Sequence, residues 1–147
     1  MEMISVAETP GISTSAKPTE LREVTGDQVA DGLGGLVSSV DKAVITGEFA
    51  SYLAAAFRAS VSSGIAGWRD DDLAFARDWG FALDTQVPVT IWQGDQDMMV
   101  PFGHGEWLAA RVPGASAHLI RGDGHLSLGI SKFGQILDDL LTATGVR

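Results

Sequence analysis

The sequence contains no cysteine in its 147 residues. Disulfide frameworks and thiolate catalysis are therefore excluded, and the redox compartment is left open. Basic residues are scarce as well: 10 lysines and arginines stand against 19 aspartates and glutamates, a net charge of -9. A nucleic-acid partner needs a basic footprint to replace counterions, and an anionic membrane surface needs the same, so the charge argues against both. The acid excess reads as a contribution to solubility. No apolar run is long enough to span a bilayer. The opening Met1-Glu2-Met3-Ile4-Ser5 lacks the basic and apolar regions of a secretory signal, so a cytoplasmic location is the expectation. There is no internal repeat and no low-complexity tract.

What is present is globular material, 45% hydrophobic and 20% charged, enough for one domain with a core. Residues 1–18 hold turn formers without a sustained period and read as a poorly ordered lead-in, with Met3 to Ala7 as a strand stub or a frayed lead-in. Residues 19–86 read as helical. Thr25-Gly26-Asp27-Gln28 fits a capping box for a helix with Val29, Leu33 and Leu36 on one face, ending near Gly34-Gly35 or just after. Thr46 is placed to cap a second helix, with Phe49, Leu53, Ala56 and Phe57 at helical spacing and Gly64 as a left-handed stop. Asp70-Asp71-Asp72 reads as a solvated helix start rather than a cation site, since consecutive carboxylates on a helix point in different directions.

At Val87 the period changes. Val87-Pro88-Val89-Thr90-Ile91-Trp92 is apolar on both faces, the pattern of a buried parallel strand. A helix follows from about Phe102 to Arg111, then a second strand over Ala117-His118-Leu119-Ile120. A last helix within Ser131 to Thr144 has Phe133, Ile136, Leu137, Leu140 and Leu141 as its buried stripe. Strand, helix and strand over this length make a parallel β-α-β unit.

Asp97 and His125, 28 residues apart, each fall just past the C-terminal end of a predicted strand. Open α/β sheets bind ligands at that edge. A hydroxyl nucleophile at neutral pH needs a neutral imidazole to take its proton. That imidazole needs a carboxylate on its other nitrogen to fix the tautomer. Gly122 and Gly124 read as glycines that let the backbone turn to present the ring.

Gly94-Asp95-Gln96-Asp97-Met98-Met99-Val100-Pro101 and Gly122-Asp123-Gly124-His125, in this order with a helix between, resemble the last two strand ends of the α/β-hydrolase fold family. The resemblance covers Val87 to about Leu128 and extends through Thr144, and residues 19–86 resemble the helical cap of many members. It implies a partial α/β-hydrolase fold: a helical cap segment, then a β-α-β-α unit with two parallel strands over residues 87–147. It implies that Asp97 is the orienting carboxylate and His125 the general base. It implies neither metal nor organic cofactor, and a small-molecule substrate with an ester- or amide-type bond. Trp68, Phe75, Trp79 and Phe81 are candidates for core or for an apolar substrate pocket.

The sequence departs from the family at the nucleophile, which sits in G-x-S-x-G on a tight strand-to-helix turn. No such motif occurs. Gly11-Ile12-Ser13-Thr14-Ser15 comes nearest, but Ser15 stands where the turn needs glycine, and Pro18 interrupts the helix that should follow. Ser127 shares the loop of His125 and reads as pointing elsewhere. The loop that would furnish oxyanion donors is missing too. The expectation is the C-terminal portion of a serine hydrolase, inactive alone, acting on its substrate only when completed by the N-terminal half. An alternative is a non-catalytic binding or assembly module on the same scaffold. Because two parallel strands are marginal alone, that reading expects a homo-oligomer or a complementing chain at the edge beside Val87 to Trp92. A third reading is a complete small esterase with an unrecognised serine. Asp95 is the second choice for the acid, and Asp123 stands too near the ring in sequence. His104 reads as a surface or capping group and His118 as a partly buried strand residue. The three histidines match no compact zinc pattern.

Overall fold

Residues 21–145 are described in the computed structural model. Met3 to Ala7, Gly11 to Ser15 and the helical signal at Thr19 lie outside the described residues. Among those described, seven α-helices, one 3-10 turn and a two-stranded parallel sheet make a mixed α/β chain. None of the helices is long and apolar enough to cross a membrane. Contacts divide the chain into two units, one of residues 21–32 with Gly47–Phe81, the other of Leu33–Thr46 with residues 82–145. Residues 33–46, part of the helical stretch in the sequence reading, thus belong with the strands.

The first unit holds α1 (Gly26–Leu33) except its last residue, α3 (Gly47–Ser60) and α4 (Ala66–Phe75). Half of the expected capping box forms: the Thr25 N–H donates to Gln28 Oε1 at 3.0 Å, while the Gln28 N–H goes to the Thr25 carbonyl. In α3 the buried residues are Ala50 and Ala54, whereas Phe49, Leu53 and Phe57 are half-buried and Ala56 is exposed. Gly26 explains the exchange. A Cβ there would lie 3.2 Å from the Ala50 carbonyl carbon and Ser51 nitrogen, so α1 and α3 meet at backbone distance, where only small side chains fit. Gly64, at φ +110°, makes the expected left-handed stop. Asp70-Asp71-Asp72 lies in the middle of α4 and not at its start, on an exposed surface.

The second unit holds α2 (Ser39–Val44), β1 (Thr90–Gly94), α5 (Phe102–Arg111), β2 (Ser116–Ile120), α6 (His125–Ser131) and α7 (Phe133–Ala143). The strands pair in parallel from Thr90 opposite Ser116 to Gly94 opposite Ile120. The first strand therefore starts later than Val87, which is 68% exposed. Its buried end is Gln93-Gly94, beside the loops that follow. Helix α5 contacts both strands and comes closest at Gly105, where a Cβ would lie 2.8 Å from that of Gln93. Trp92 and His118, opposite each other in register, stack at 4.0 Å. Asp139 Oδ2 of α7 approaches His118 Nε2 to 2.7 Å, but out of line for an N–H hydrogen bond. Val37, Ile45, Val112 and Leu128 are the buried apolar residues of this unit.

The stripe expected to be buried in the last helix is not. Phe133 is 61% and Leu140 56% exposed, Leu137 is also exposed, and Ile136 and Leu141 are half-buried. The described residues cover this stripe only in part.

Gly94 shows how tightly the strand end is packed. A Cβ on it would overlap the Asp123 carbonyl group, which is backbone and cannot swing aside. Gly94→Ala is expected to destabilise by about 2 kcal/mol through overpacking. Gly129→Ala, in open space within α6, should stabilise by about 0.5–1 kcal/mol through helix propensity. Urea denaturation of the two variants beside the parent protein checks the contrast in sign.

Candidate functional site

Three backbone and side-chain bonds stitch the two loops past the strand ends together. The Asp95 N–H donates to the Ile120 carbonyl and the Gln96 N–H to the Asp123 carbonyl, both at 2.9 Å. The Asp95 carboxylate in turn accepts the Gly122 N–H at 2.8 Å. That N–H and then the Gln96 side chain, with the Arg121 charge adding to them, hold the Asp95 carboxyl below its usual value against the opposing effect of burial. Asp95, the second choice for the acid, is thus a loop tie. Asp123 accepts the Ser131 hydroxyl at 3.0 Å. Gly122, at φ +85°, takes a left-handed turn that favours glycine, as expected.

Across this stitched edge the structure brings Asp97 and His125 together. His125 Nδ1 lies 2.9 Å from Asp97 Oδ2. The Asp97 side chain is only 6% exposed and the His125 ring 40%. The carboxylate is fixed on every side: Oδ1 accepts the Met99 and Val100 N–H groups at 2.9 and 2.8 Å, and Oδ2 accepts Gln93 Nε2 at 3.0 Å. Gln93 also donates to the Val100 carbonyl at 2.9 Å, which ties the strand to the acid loop. A carboxylate can only accept, so the proton of the neutral ring belongs on Nδ1 and the Nε2 lone pair faces outward. No described group hydrogen-bonds Nε2.

His125 is also the first residue of α6, and the start of that helix is held from far away. Gly124, its N-cap, has no side chain to cap with. Asp41 of α2 does so instead. One carboxylate oxygen accepts the Leu126 and Ser127 N–H groups, both at 2.9 Å, and the Ser127 hydroxyl at 3.0 Å. The other accepts the His125 N–H at 3.1 Å and the Ser38 hydroxyl at 3.1 Å. Ser127 Oγ in turn accepts the Gly124 N–H at 2.7 Å. Asp41 is fully buried. Burial raises its pKa, but the Ser127 backbone and hydroxyl bonds and those from His125 and Leu126 outweigh it, so the carboxyl sits below its usual value. Gly124 has an ordinary φ of -101°; glycine is needed there for space and not for turning, because a Cβ would overlap the Asp41 carboxylate.

Sequence reasoning missed Asp41, whose Ser38-x-x-Asp41 setting looks like a local capping box. Ser38 does cap α2, accepting the Asp41 N–H at 3.4 Å. A helix opening on Gly124 without a capping side chain was the available signal. Ser127 points away from the ring, as expected, and the N–H groups around it are already engaged.

The aromatic candidates lie in the other unit. Phe75, Trp79 and Phe81 form a ladder with centroid spacings of 6.1 and 5.8 Å, and Trp79 Nε1 donates to the Ala74 carbonyl. All three are exposed and so are not core, while Trp68 is half-buried. His104 is exposed in the first turn of α5. Among the described residues no group of three histidine or carboxylate side chains could hold a metal ion.

Compared with protein-family models, curated proteins and solved structures, the chain matches none.

Asp41 carries a pH signature. Its depressed pKa contributes stability that is present above the unfolded value of about 3.9 and is lost as pH falls through the lower folded value. Asp41→Asn is expected to cost about 2–3 kcal/mol at neutral pH, because buried amide donors lose their anionic acceptor. The gap between parent and variant should narrow as the pH drops below about 4. Urea titrations at a series of pH values measure it.

Proposed function

We propose that this chain supplies the acid and base of a serine-type α/β-hydrolase site, acting on a small-molecule ester or amide. The observation that carries the reading is the buried Asp97 carboxylate 2.9 Å from Nδ1 of an accessible His125 ring. In this arrangement His125 Nε2 accepts the proton of an attacking hydroxyl, and Asp97 stabilises the imidazolium that forms. The same proton then passes to the leaving group as the acyl intermediate forms. The hydroxyl and the oxyanion donors come from residues outside these 147, because the sequence holds no G-x-S-x-G. The cytoplasmic setting belongs to the same proposal.

The outer side of the sheet supports a completing partner. β1 pairs only with β2 among the described strands, so the other edge of Thr90–Gly94 offers unpaired backbone groups. The exposed Phe133, Leu137 and Leu140 offer apolar surface. These same features favour a second reading, a non-catalytic module that assembles with itself or with a complementing chain at that edge.

The test is to read the coding sequence 5′ of Met1 and to express the joined polypeptide if a strand and G-x-S-x-G lie there. A fluorophosphonate probe is expected to leave the present chain unlabelled and to label the joined protein. His125→Ala should then lower its turnover by about 10³-fold or more, and Asp97→Asn by about 10⁴-fold. Unrelated sequence upstream, or undiminished turnover in either variant, sinks the hydrolase reading. A concentration-dependent dimer in light scattering, without labelling of the joined protein, favours the assembly reading.

A further inference from the structure

We infer that Asp41 is a positioning residue for His125: its buried carboxylate anchors the start of α6 and so directs the imidazole Nδ1–H at Asp97. The name of base for His125 rests on the reading above, but the anchoring concerns this chain alone.

The first residue of a helix is where hydrogen bonding is least complete, because the first N–H groups have no partner in the helix. A ring carried there would swing with the fraying end. Here the opposite holds. The N–H groups of His125, Leu126 and Ser127 all end on the Asp41 carboxylate, and the Gly124 N–H ends on Ser127 Oγ, itself bonded to Asp41. Three successive N–H groups are therefore held by one side chain, and the fourth is held through Ser127. The His125 side chain is what this backbone projects, and at its far end Nδ1 meets a carboxylate that is itself held by Met99, Val100 and Gln93. Both ends of the imidazole lever are anchored. A catalytic group must be held to within about 0.5 Å, and two anchors meet that demand where one would leave the ring free to pivot. The arrangement also explains Gly124, whose missing Cβ leaves the space that the carboxylate occupies. A cap serving stability alone could have stood at position 124 itself. Supplied from α2, it ties the histidine to a second element of the same unit.

The experiment reads the tautomer of His125 in the full chain, with ¹⁵N-labelled histidine, from long-range ¹H–¹⁵N imidazole spectra in alkaline buffer. The parent protein is expected to show the proton on Nδ1. In Asp41→Asn the His125 signal should shift towards the Nε2–H tautomer, while the signals of His104 and His118 stay in place. A folded Asp41→Asn that keeps Nδ1–H overturns the inference. If that variant does not fold, Ser127→Ala decides, since it removes one donor to Asp41 and the acceptor of the Gly124 N–H but leaves the carboxylate in place. A mixed tautomer supports the anchoring, and a parental spectrum overturns it. In Asp41→Ala with Gly124→Ser, the vacated space takes the new side chain and its hydroxyl caps the helix locally. Return of Nδ1–H there supports the role, and a folded double variant with the ring unlocked overturns it. None of these spectra needs a nucleophile or substrate, so failure of the hydrolase reading and failure of this one are separate results.

Discussion

One buried carboxylate, that of Asp41, is the constraint on which the rest of the second unit depends. An isolated charge taken out of water costs several kcal/mol unless its lone pairs are satisfied. Asp41 meets that condition with three backbone N–H groups and two hydroxyls. It also sits at the positive end of a helix, where a negative charge is favoured. The bonds work in both directions. They make the buried anion tolerable, and they complete a helix start that its own N-cap glycine cannot complete.

Around this anchor the edge of the sheet is layered. The Asp95 and Gln96 bonds lock the two strand-end loops to each other, Gln93 and the Met99 and Val100 amides lock Asp97, and Asp41 locks the helix that carries His125. Three carboxylates close in sequence or space thus have three different tasks. Asp97 alone touches the ring. The division follows from position: Asp95 reaches the Gly122 amide, Asp41 the start of α6, and Asp97 the open side where the imidazole lies.

The sequence made the local part of this legible. Helix α5 follows from Phe102 and its helical successors, β2 from Ala117 to Ile120, and the pairing of Asp97 with His125 from their places past two strands. What it hid depends on partners distant in the chain or absent from it. The bonds of Asp41 span 84 to 86 residues, and nothing in Ser38-x-x-Asp41 distinguishes a carboxylate that caps its own helix from one that caps another. Aromatic and aliphatic periodicity placed Phe49, Leu53 and Phe57 inward, yet the close approach at Gly26 gave the interior to Ala50 and Ala54. Periodicity also marked an apolar stripe on α7, correctly as a pattern, but burial needs a covering surface that the described residues provide only in part. The helical stretch 19–86 looked uniform because its amphipathic signals do not record that residues 33–46 pack with the strands.

The distance in sequence between Asp41 and the helix it caps has a consequence for how the protein is made. Closing a loop of that size carries an entropic cost that only the finished contacts offset, and contacts of such separation form slowly. During synthesis the Asp41 carboxylate emerges long before residues 125–127, and until they follow it has no amide donors from α6. The acid of the pair has its Met99 and Val100 amides close behind it in the chain, so its pocket can form early. The histidine is locked only when both distant partners have met. Locking of the His125 ring is therefore a late folding event, set by topology rather than by the chemistry of the ring.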